Sequence, residues 1–257
     1  MKKNILWLSL IIVFICSSKL YSQGGSAFGI KGGPLLGFQT WNSSESEILF
    51  RYSGIAYIET YGPEAKYSLF AQSGFHVRGG ALRIRGGSFQ SVNSAREIII
   101  PTQSYPYEFR NVSLSVGAKQ RFSLDEKTSW YYLLGVRGEY TLSDNLDEYQ
   151  NADDPGIATF NLIHPFPGRN VNRWNYGIIA GAGIDFMFSE LVGALVELTI
   201  SPDFSQQYFS PPFTFNSPFG GGQQTITVGE RSINNISIEL SFGFRFLRIV
   251  EYVNHIY

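Results

Sequence analysis

The sequence has almost no cysteine and no surplus of basic residues, and both features exclude classes of protein. Its single cysteine, Cys16, lies near the amino terminus, so the chain after residue 22 has neither a disulfide nor a cysteine-ligated metal site. The formal net charge is −1, without the basic excess of nucleic-acid-binding domains. After residue 22 no apolar run approaches the roughly 20 residues of a transmembrane helix. A disulfide-stapled domain, a nucleic-acid-binding domain and a bundle of membrane-spanning helices are therefore disfavoured.

The amino-terminal segment has the pattern of an export signal. Residues 5–16 are almost wholly apolar and follow Lys2 and Lys3. The run is about a dozen residues long, which is too short to span a bilayer as a helix but suits the core of a signal peptide. Because the chain then turns polar and a small residue precedes the cut, we expect residues 1–22 to be a signal peptide cleaved after Ser22.

Two alternatives for this segment are weaker. A lipoprotein signal would use Cys16, but the residue before it is the bulky Ile15 where a small residue is required. A retained membrane anchor conflicts with the shortness of the apolar run. Cleavage would remove three lysines and no acid, which lowers the formal charge from −1 to −4.

The clearest pattern in the remaining chain is strict alternation over residues 235–246. Apolar side chains occupy every even position from 236 onward, and polar residues or glycine occupy the odd positions. Such a period of two predicts a β-strand with one apolar and one polar face. A globular protein would bury the apolar face, whereas a barrel in lipid would turn it outward. The apolar positions are Ile236, Ile238, Leu240, Phe242, Phe244 and Phe246.

Seven further segments have the same period, some less regularly. In one of them, residues 67–85, the alternation slips at Gly79 and Gly80, which predicts a β-bulge there. Abundant glycine on the polar faces suits the interior of a small barrel. The seven segments are 28–38, 51–61, 67–85, 111–122, a stretch including 134–140, 174–188 and 192–200.

The connections between these segments alternate in length, as they do in outer-membrane barrels with short periplasmic turns and long extracellular loops. We therefore predict an all-β fold: an eight-stranded antiparallel transmembrane β-barrel over residues 23–246, followed by a short periplasmic tail at 247–257. Ten strands would result if 98–100 and 225–228 were strands of the barrel, and a secreted β-sandwich is the other alternative. The short turns are 63–66, 123–128 and 189–190, and the long loops are 39–47, 86–108, 143–171 and 206–232.

Several strand segments also resemble one family. The stretches FGIKGG at 28–33, FHVRGGALRIRG at 75–86, WNYGIIAGAGIDFMF at 174–188 and ISIELSFGFRF at 236–246 are similar to the PorT-like outer-membrane β-barrel proteins of Bacteroidota. The resemblance covers most of residues 26–246 outside the loops. It implies an OmpA-like eight-stranded barrel, and its namesake is associated with type IX protein secretion and gliding. The aromatic stretch within 204–219 has no match in the namesake.

Charged residues on the polar faces should point into the barrel. They could line an ion path, but the interior of eight strands is just wide enough for side chains. An internal network of ion pairs is therefore the favoured interpretation, since buried charges are costly unless paired. The predicted members of this lumen ion network are Lys31, Glu59, Arg78, Lys119, Arg121, Arg137, Glu139, Asp185, Glu197, Glu239 and Arg245.

Evidence for catalysis is sparse in the sequence. Of the three histidines, His76 is expected inside the barrel, His164 in a loop and His255 in the tail. Only His164, near Asp153 and Asp154, could take part in a hydrolase or acyltransferase site, and no nucleophile motif accompanies it. The acids within 144–154 lack the spacing and glycine of a calcium loop. We predict no catalytic residue, no metal site and no cofactor.

The most unusual loop is rich in aromatic residues and proline over residues 203–222. An external loop this apolar needs something to bury it: it either folds over the barrel mouth as a plug or docks against a partner protein or lipopolysaccharide. Aromatics nearer the strand ends, Trp130, Tyr131, Trp174 and Tyr176, are predicted to form an interfacial girdle. The residues of the predicted partner-binding loop are Phe204, Tyr208, Phe209, Phe213, Phe215 and Phe219.

The sequence therefore predicts a non-enzymatic protein that is integral to the outer membrane and in contact with its lipid and lipopolysaccharide. We expect a structural or accessory subunit of an envelope complex, with protein secretion as one such complex, that docks an envelope protein through its external loops. A narrow small-solute pore is the first alternative, and a surface hydrolase or acyltransferase is the second. No nucleic-acid partner is expected.

Overall fold

The computed structural model of the chain describes nine stretches of residues. The predicted signal peptide (1–22), most of the predicted tail, and the loop histidine His164 with Asp153 and Asp154 lie outside them. Within the described stretches no helix is long and apolar enough to cross a bilayer. The described residues are 25–41, 46–60, 62, 65–84, 87–90, 97–100, 102–150, 171–217 and 224–248.

Eight long antiparallel strands close a ring, which confirms the predicted barrel. Each strand pairs with the next in chain order, and the first and last pair with each other through fourteen residue pairs, from Ser26 opposite Arg248 to Trp41 opposite Ile233. A closed ring has no sheet edge, so every strand finds its backbone hydrogen bonds within the wall. The ring strands are β1 (Ser26–Trp41), β3 (Leu49–Thr60), β4 (Tyr67–Ile84), β7 (Gln103–Ser123), β8 (Thr128–Asp144), β9 (Trp174–Met187), β10 (Val192–Pro202) and β14 (Arg231–Arg248).

The other elements belong to the long connections. The strands β5 (Gly87–Gln90) and β6 (Glu97–Ile100) form one two-stranded sheet outside the ring, and β12 (Phe213–Ser217) and β13 (Gln224–Val228) form another. The short strand β2 (Ser46–Glu47) pairs with β4, and β11 (Tyr208–Ser210) pairs with β14. The stretches 98–100 and 225–228 are thus strands of loop hairpins, and the ten-stranded alternative is wrong. The connection after β8 also contains the 3-10 helix η1 (Leu146–Gln150).

Burial alternates along the ring strands in the sense opposite to that of a soluble protein. In β14, Phe242 and Phe244 are 52% and 54% exposed, while Glu239, Ser241 and Arg245 are at most 5% exposed. The same inversion holds on β7 and β8, where the outward-facing residues include Leu114, Val116, Leu134 and Val136. An apolar outer wall around a polar interior is the arrangement that a lipid environment stabilises.

The two ends of the barrel differ as predicted, with short turns at one end and long connections at the other. At the turn between β7 and β8, the backbone amides of Lys127 and Thr128 donate to Asp125 Oδ1 over 2.8 and 2.6 Å. These bonds hold the pKa of that carboxyl below its usual value. At the carboxyl end, β14 continues through Leu247 and Arg248.

The wall is irregular near Gly79 in β4. Pairing of β3 with β4 ends at Ser53 opposite His76, and the next pair on this side is Glu47 opposite Ala81. That interval contains six steps on the β2–β3 side and five on β4, whereas the register between β4 and β7 continues without a shift. The irregularity lies where the alternation of apolar and polar residues in the sequence slips. The additional residue, however, is on the β2–β3 side and not in β4.

Candidate functional site: a filled lumen and a covered mouth

The strand register turns all eleven residues of the predicted lumen ion network into the barrel. Ten of them are at most 5% exposed, and only the side chain of Arg121 reaches 12%. The structure places ten of them in two groups at different levels of the lumen, and the eleventh, Glu239, pairs with His76. The group nearer the short turns is called the periplasmic cluster, and the group nearer the long loops is called the outer cluster.

The periplasmic cluster is one continuous set of ion pairs. Glu59 accepts from Arg121 Nη2 at 2.7 Å and lies 3.0 Å from Arg245 Nε and 3.3 Å from Lys119 Nζ. Both arginines also contact Asp185, at 3.2 and 3.1 Å. Lys119 and Lys31 then share Glu197. Its members are Lys31, Glu59, Lys119, Arg121, Asp185, Glu197 and Arg245.

Aromatic rings line this cluster. Tyr131 is fully buried and its hydroxyl donates to Glu197 Oε2 over 2.8 Å. The Lys119 ammonium lies 4.5 Å from the centroid of the same ring and 5.3 Å from that of Tyr57, within the range of a cation–π interaction. The prediction that Tyr131 belongs to the interfacial girdle is wrong, because its position in β8 faces the lumen. Trp130, Trp174 and Tyr176 do face outward.

The outer cluster joins two arginines to two acids. Arg78 Nη2 lies 3.3 Å from Glu139 Oε1 and Arg78 Nη1 lies 3.7 Å from Asp203 Oδ1. Arg137 contacts the same two acids, with Nε 3.2 Å from Glu139 Oε1. Asn111 Nδ2 donates a further hydrogen bond to Glu139 over 3.3 Å. All of these side chains are buried.

A histidine–carboxylate pair lies in the same part of the lumen. His76 Nδ1 is 3.3 Å from Glu239 Oε2, and the Ser241 hydroxyl donates to Glu239 Oε1 over 2.5 Å. Within the described stretches, no three His, Cys, Asp or Glu side chains are grouped so as to hold a metal ion. The other two histidines, His164 and His255, fall outside the described residues.

Sequence reasoning missed Asp203, which was assigned to a loop. Every odd residue of β10 from Gly193 to Ser201 faces the lumen, and Asp203 continues that parity as an isolated bridge partner of Gly177. Extending the alternation of β10 by one more odd position would have predicted that Asp203 faces the lumen. With Asp203 included, the two clusters and Glu239 contain six lysines or arginines and six carboxylates.

The chain after β10 folds back over the mouth of the barrel. This mouth segment, residues 203–210, carries Tyr208, which is completely buried. Through β11 it pairs with the start of β14, with Tyr208 opposite Ile233. Tyr208 completes an apolar cluster that caps the outer end of the lumen. The cluster comprises Tyr105, Tyr107, Phe109, Leu146, Tyr208 and Ile233, with Val171 packed against it.

Buried hydrogen bonds hold the mouth segment in place. The Gln207 side chain is fully buried, donates to Thr141 Oγ1 over 2.9 Å and accepts from Asn235 Nδ2. Its backbone N–H donates to the carbonyl of Ile233 over 2.9 Å, and its carbonyl accepts from the N–H of Asn172 over 2.8 Å. One residue thereby connects β8, the approach to β9, and β14.

The predicted partner-binding loop is thus divided by the fold. The prediction that Tyr208 belongs to a docking surface is wrong, because Tyr208 is completely buried. Its ring packs in the apolar cluster below the rest of the mouth segment. Phe204 and Phe209 are exposed, at 61% and 36%. Phe213 and Phe215 lie on β12, and Phe219 lies outside the described residues.

A closed antiparallel ring with an apolar outer wall and a charged interior defines an integral outer-membrane barrel. The sequence profile of the family described as "Outer membrane protein beta-barrel domain" matches residues 21–205. The chain therefore belongs to this family. Its outer wall contacts membrane lipid.

Other comparisons are more distant. No curated protein matches the chain. OprG of Pseudomonas aeruginosa is 11% identical with a TM-score of 0.48, covering 88% of this chain and 99% of its own. Ail of Yersinia pestis is 15% identical with a TM-score of 0.36 over 86% and 99% of the two chains. The outer membrane protease OmpT of Escherichia coli is 10% identical with a TM-score of 0.38 over 87% and 97%. Similarities this low carry no information on activity.

Proposed function

We propose that this protein is a closed, non-enzymatic outer-membrane barrel that serves as a structural or accessory subunit of an envelope complex, docking through its external loops. The observation that carries the proposal is the filled lumen. Both clusters are buried ion-pair sets, and the mouth segment covers the outer end. Where the lumen is closed, function has to reside on the outer surface.

A solute would have to break buried ion pairs in order to pass. Removing one partner of a buried pair typically costs about 3–5 kcal/mol, and the two clusters are successive obstacles. An apolar cluster of Phe70, Tyr131, Leu133 and Ile179 also fills part of the interior. This arrangement favours a closed barrel over the narrow pore.

The external hairpins support the docking part of the proposal. The sheets β5–β6 and β12–β13 each have two strands and lie outside the ring. A two-stranded sheet is marginally stable alone and leaves backbone groups open for pairing with another chain. Exposed Phe204 and Phe209 lie near the second hairpin in the chain. A subunit role in protein secretion, which the PorT-like resemblance suggests, is one form that this docking could take.

Planar-bilayer recording tests whether the barrel is closed. The purified protein is expected to give no stable single-channel steps, because its lumen has no continuous path for a hydrated ion. Stable steps whose conductance changes in Arg137→Ala or Glu139→Ala would favour the pore instead. Assays of lipid and peptide hydrolysis on the same preparation are expected to show no turnover.

Affinity purification from intact outer membranes tests docking. The double variant Phe204→Ser/Phe209→Ser should lose a co-purifying envelope protein while remaining a folded, heat-resistant barrel. The matched control is Leu124→Ser, since Leu124 is 63% exposed but lies in a turn at the opposite end. Retention of every partner by the double variant would contradict docking through these residues.

A further inference from the structure

A cleft with a volume of about 650 Å³ opens at the short-turn end of the barrel. It lies between the β3–β4 turn and the β7–β8 turn and reaches the ends of β9 and β14. Four basic side chains line it, Lys66, Arg121, Lys127 and Arg245, together with two acidic residues, Asp125 and Glu126. None of these features is used by the docking function at the other end of the molecule.

We propose that this cleft is a binding site for a phosphate group. The two arginines form its floor and the two lysines form its rim. A guanidinium offers parallel N–H donors that match a phosphate, and an ammonium adds a point charge. Arg121 already donates to Asp185, Ser68 and Glu59 through its three nitrogens. A guanidinium has five N–H groups, so two of them remain for an oxyanion beside the two ammonium groups.

The charge balance of the cleft lining favours an anion. Among the described residues that line the cleft, four side chains are cationic and two are carboxylates. This excess of positive charge attracts an anion.

The rim lysines are held beside the floor by backbone contacts. The Arg121 N–H donates to the Lys66 carbonyl over 2.7 Å, and the Met187 N–H donates to the Lys127 carbonyl over 2.8 Å. No ion pair joins either lysine to a carboxylate of the described residues. Asp125 is occupied by the amides of its own turn.

The position of the cleft indicates two sources of phosphate. Tyr67 lines the cleft and is 67% exposed, and Phe122 lines it and stacks on Trp130 with ring centroids 4.5 Å apart. Aromatic residues of this kind mark the level of lipid headgroups. The phosphate can therefore come from a phospholipid of the inner leaflet or from a soluble periplasmic compound.

The test uses the full barrel in an uncharged maltoside detergent. Inorganic phosphate is titrated while the unfolding temperature is followed, with sodium chloride at equal ionic strength as the reference. Native mass spectrometry of the same preparation detects any retained phospholipid. We expect saturable binding by one or both readouts, weakened about tenfold or more in Lys66→Gln/Lys127→Gln. Arg173→Gln, an exposed arginine at the other end, should bind as the unaltered protein does.

The results of these two measurements distinguish a phospholipid headgroup from a soluble phosphate compound. Binding of inorganic phosphate assigns a soluble ligand, and retention of phospholipid alone assigns a headgroup. The proposal is overturned if neither binds, if chloride gives the same shift as phosphate, or if the double lysine variant binds unchanged. Both lysines lie in exposed turns, so the variant should fold; the single variant Lys127→Gln gives the same comparison with less perturbation. Loss of phosphate binding would leave extracellular docking untouched.

Discussion

Arg137, midway along β8, is bonded to the carboxylate of Asp203, the first residue after β10. Both side chains are 1% exposed. This contact fastens the start of the mouth segment to β8, across the intervening β9. Arg78 on β4, at the opposite side of the ring, approaches the same carboxylate at 3.7 Å. The external connection is therefore anchored by the interior of the barrel.

Asp203→Asn should destabilise the folded barrel. The substitution removes the charge that Arg78 and Arg137 share and leaves them with Glu139 alone, which we expect to cost about 3–5 kcal/mol. Urea unfolding in phospholipid vesicles, followed by tryptophan fluorescence, measures the difference. Phe204→Ala is the control, because the neighbouring side chain is 61% exposed. Equal effects from the two variants would show that Asp203 is not an anchor.

Tyr208 and Phe209 are adjacent in β11, but truncating them should affect the stability of the barrel to different extents. Tyr208 is completely buried in the apolar cluster at the mouth, whereas Phe209 is 36% exposed. We expect Tyr208→Ala to lower the free energy of unfolding by about 3 kcal/mol or more. Phe209→Ala should lower it by less than about 1 kcal/mol and should instead weaken partner capture. A larger stability loss from Phe209→Ala would mean that the loop packs differently.

Leu240 and Glu239 test the inside–outside assignment of β14. Leu240 faces lipid and Glu239 faces the lumen, so Leu240→Arg should impair folding into bilayers by roughly 2–4 kcal/mol if the residue lies near the midplane. Glu239→Gln keeps the shape and hydrogen-bonding capacity of the side chain beside His76 and should be milder. Folding yields in vesicles, measured by heat-modified gel mobility, compare the two. Equal effects would undo the assignment.

Replacing Gly79 even with alanine should destabilise the folded barrel. Its φ is 155°, which side chains rarely adopt, and an added Cβ would lie 1.8 Å from the Tyr107 carbonyl oxygen. We expect Gly79→Ala to cost about 1–3 kcal/mol from backbone strain, with a further loss where β4 moves away from β7. Gly54→Ala is the matched control, because nothing lies within 4 Å of its Cβ position. The unfolding midpoints in urea should differ clearly, and coincident midpoints would refute the steric argument.

The alternation of side chains and the lengths of connections were sufficient to predict the barrel. A period of two is a local property of an extended chain, so the eight strands, their lipid-facing sides and the inward direction of residues such as Lys119 and Glu197 followed from the sequence. The same parity would have placed Tyr131 and Asp203 inside. Tyr131 was assigned by its nearness to a strand end, and Asp203 was placed in a loop because the predicted strand ended at residue 200.

Only the tertiary structure decided which charges meet and where the mouth segment goes. Parity places Arg121, Glu59 and Asp185 in the lumen, but their contact depends on the stagger of three different strands around the ring, and stagger is set by the closed hydrogen-bond register. Tyr208 illustrates the same limit. Nothing near it in the chain distinguishes it from the exposed Phe209, and its burial results from surfaces contributed by β7, η1 and β14. The sequence by itself therefore determined the wall of the barrel and its sidedness, while the contents of the lumen arose from contacts between residues far apart in the chain.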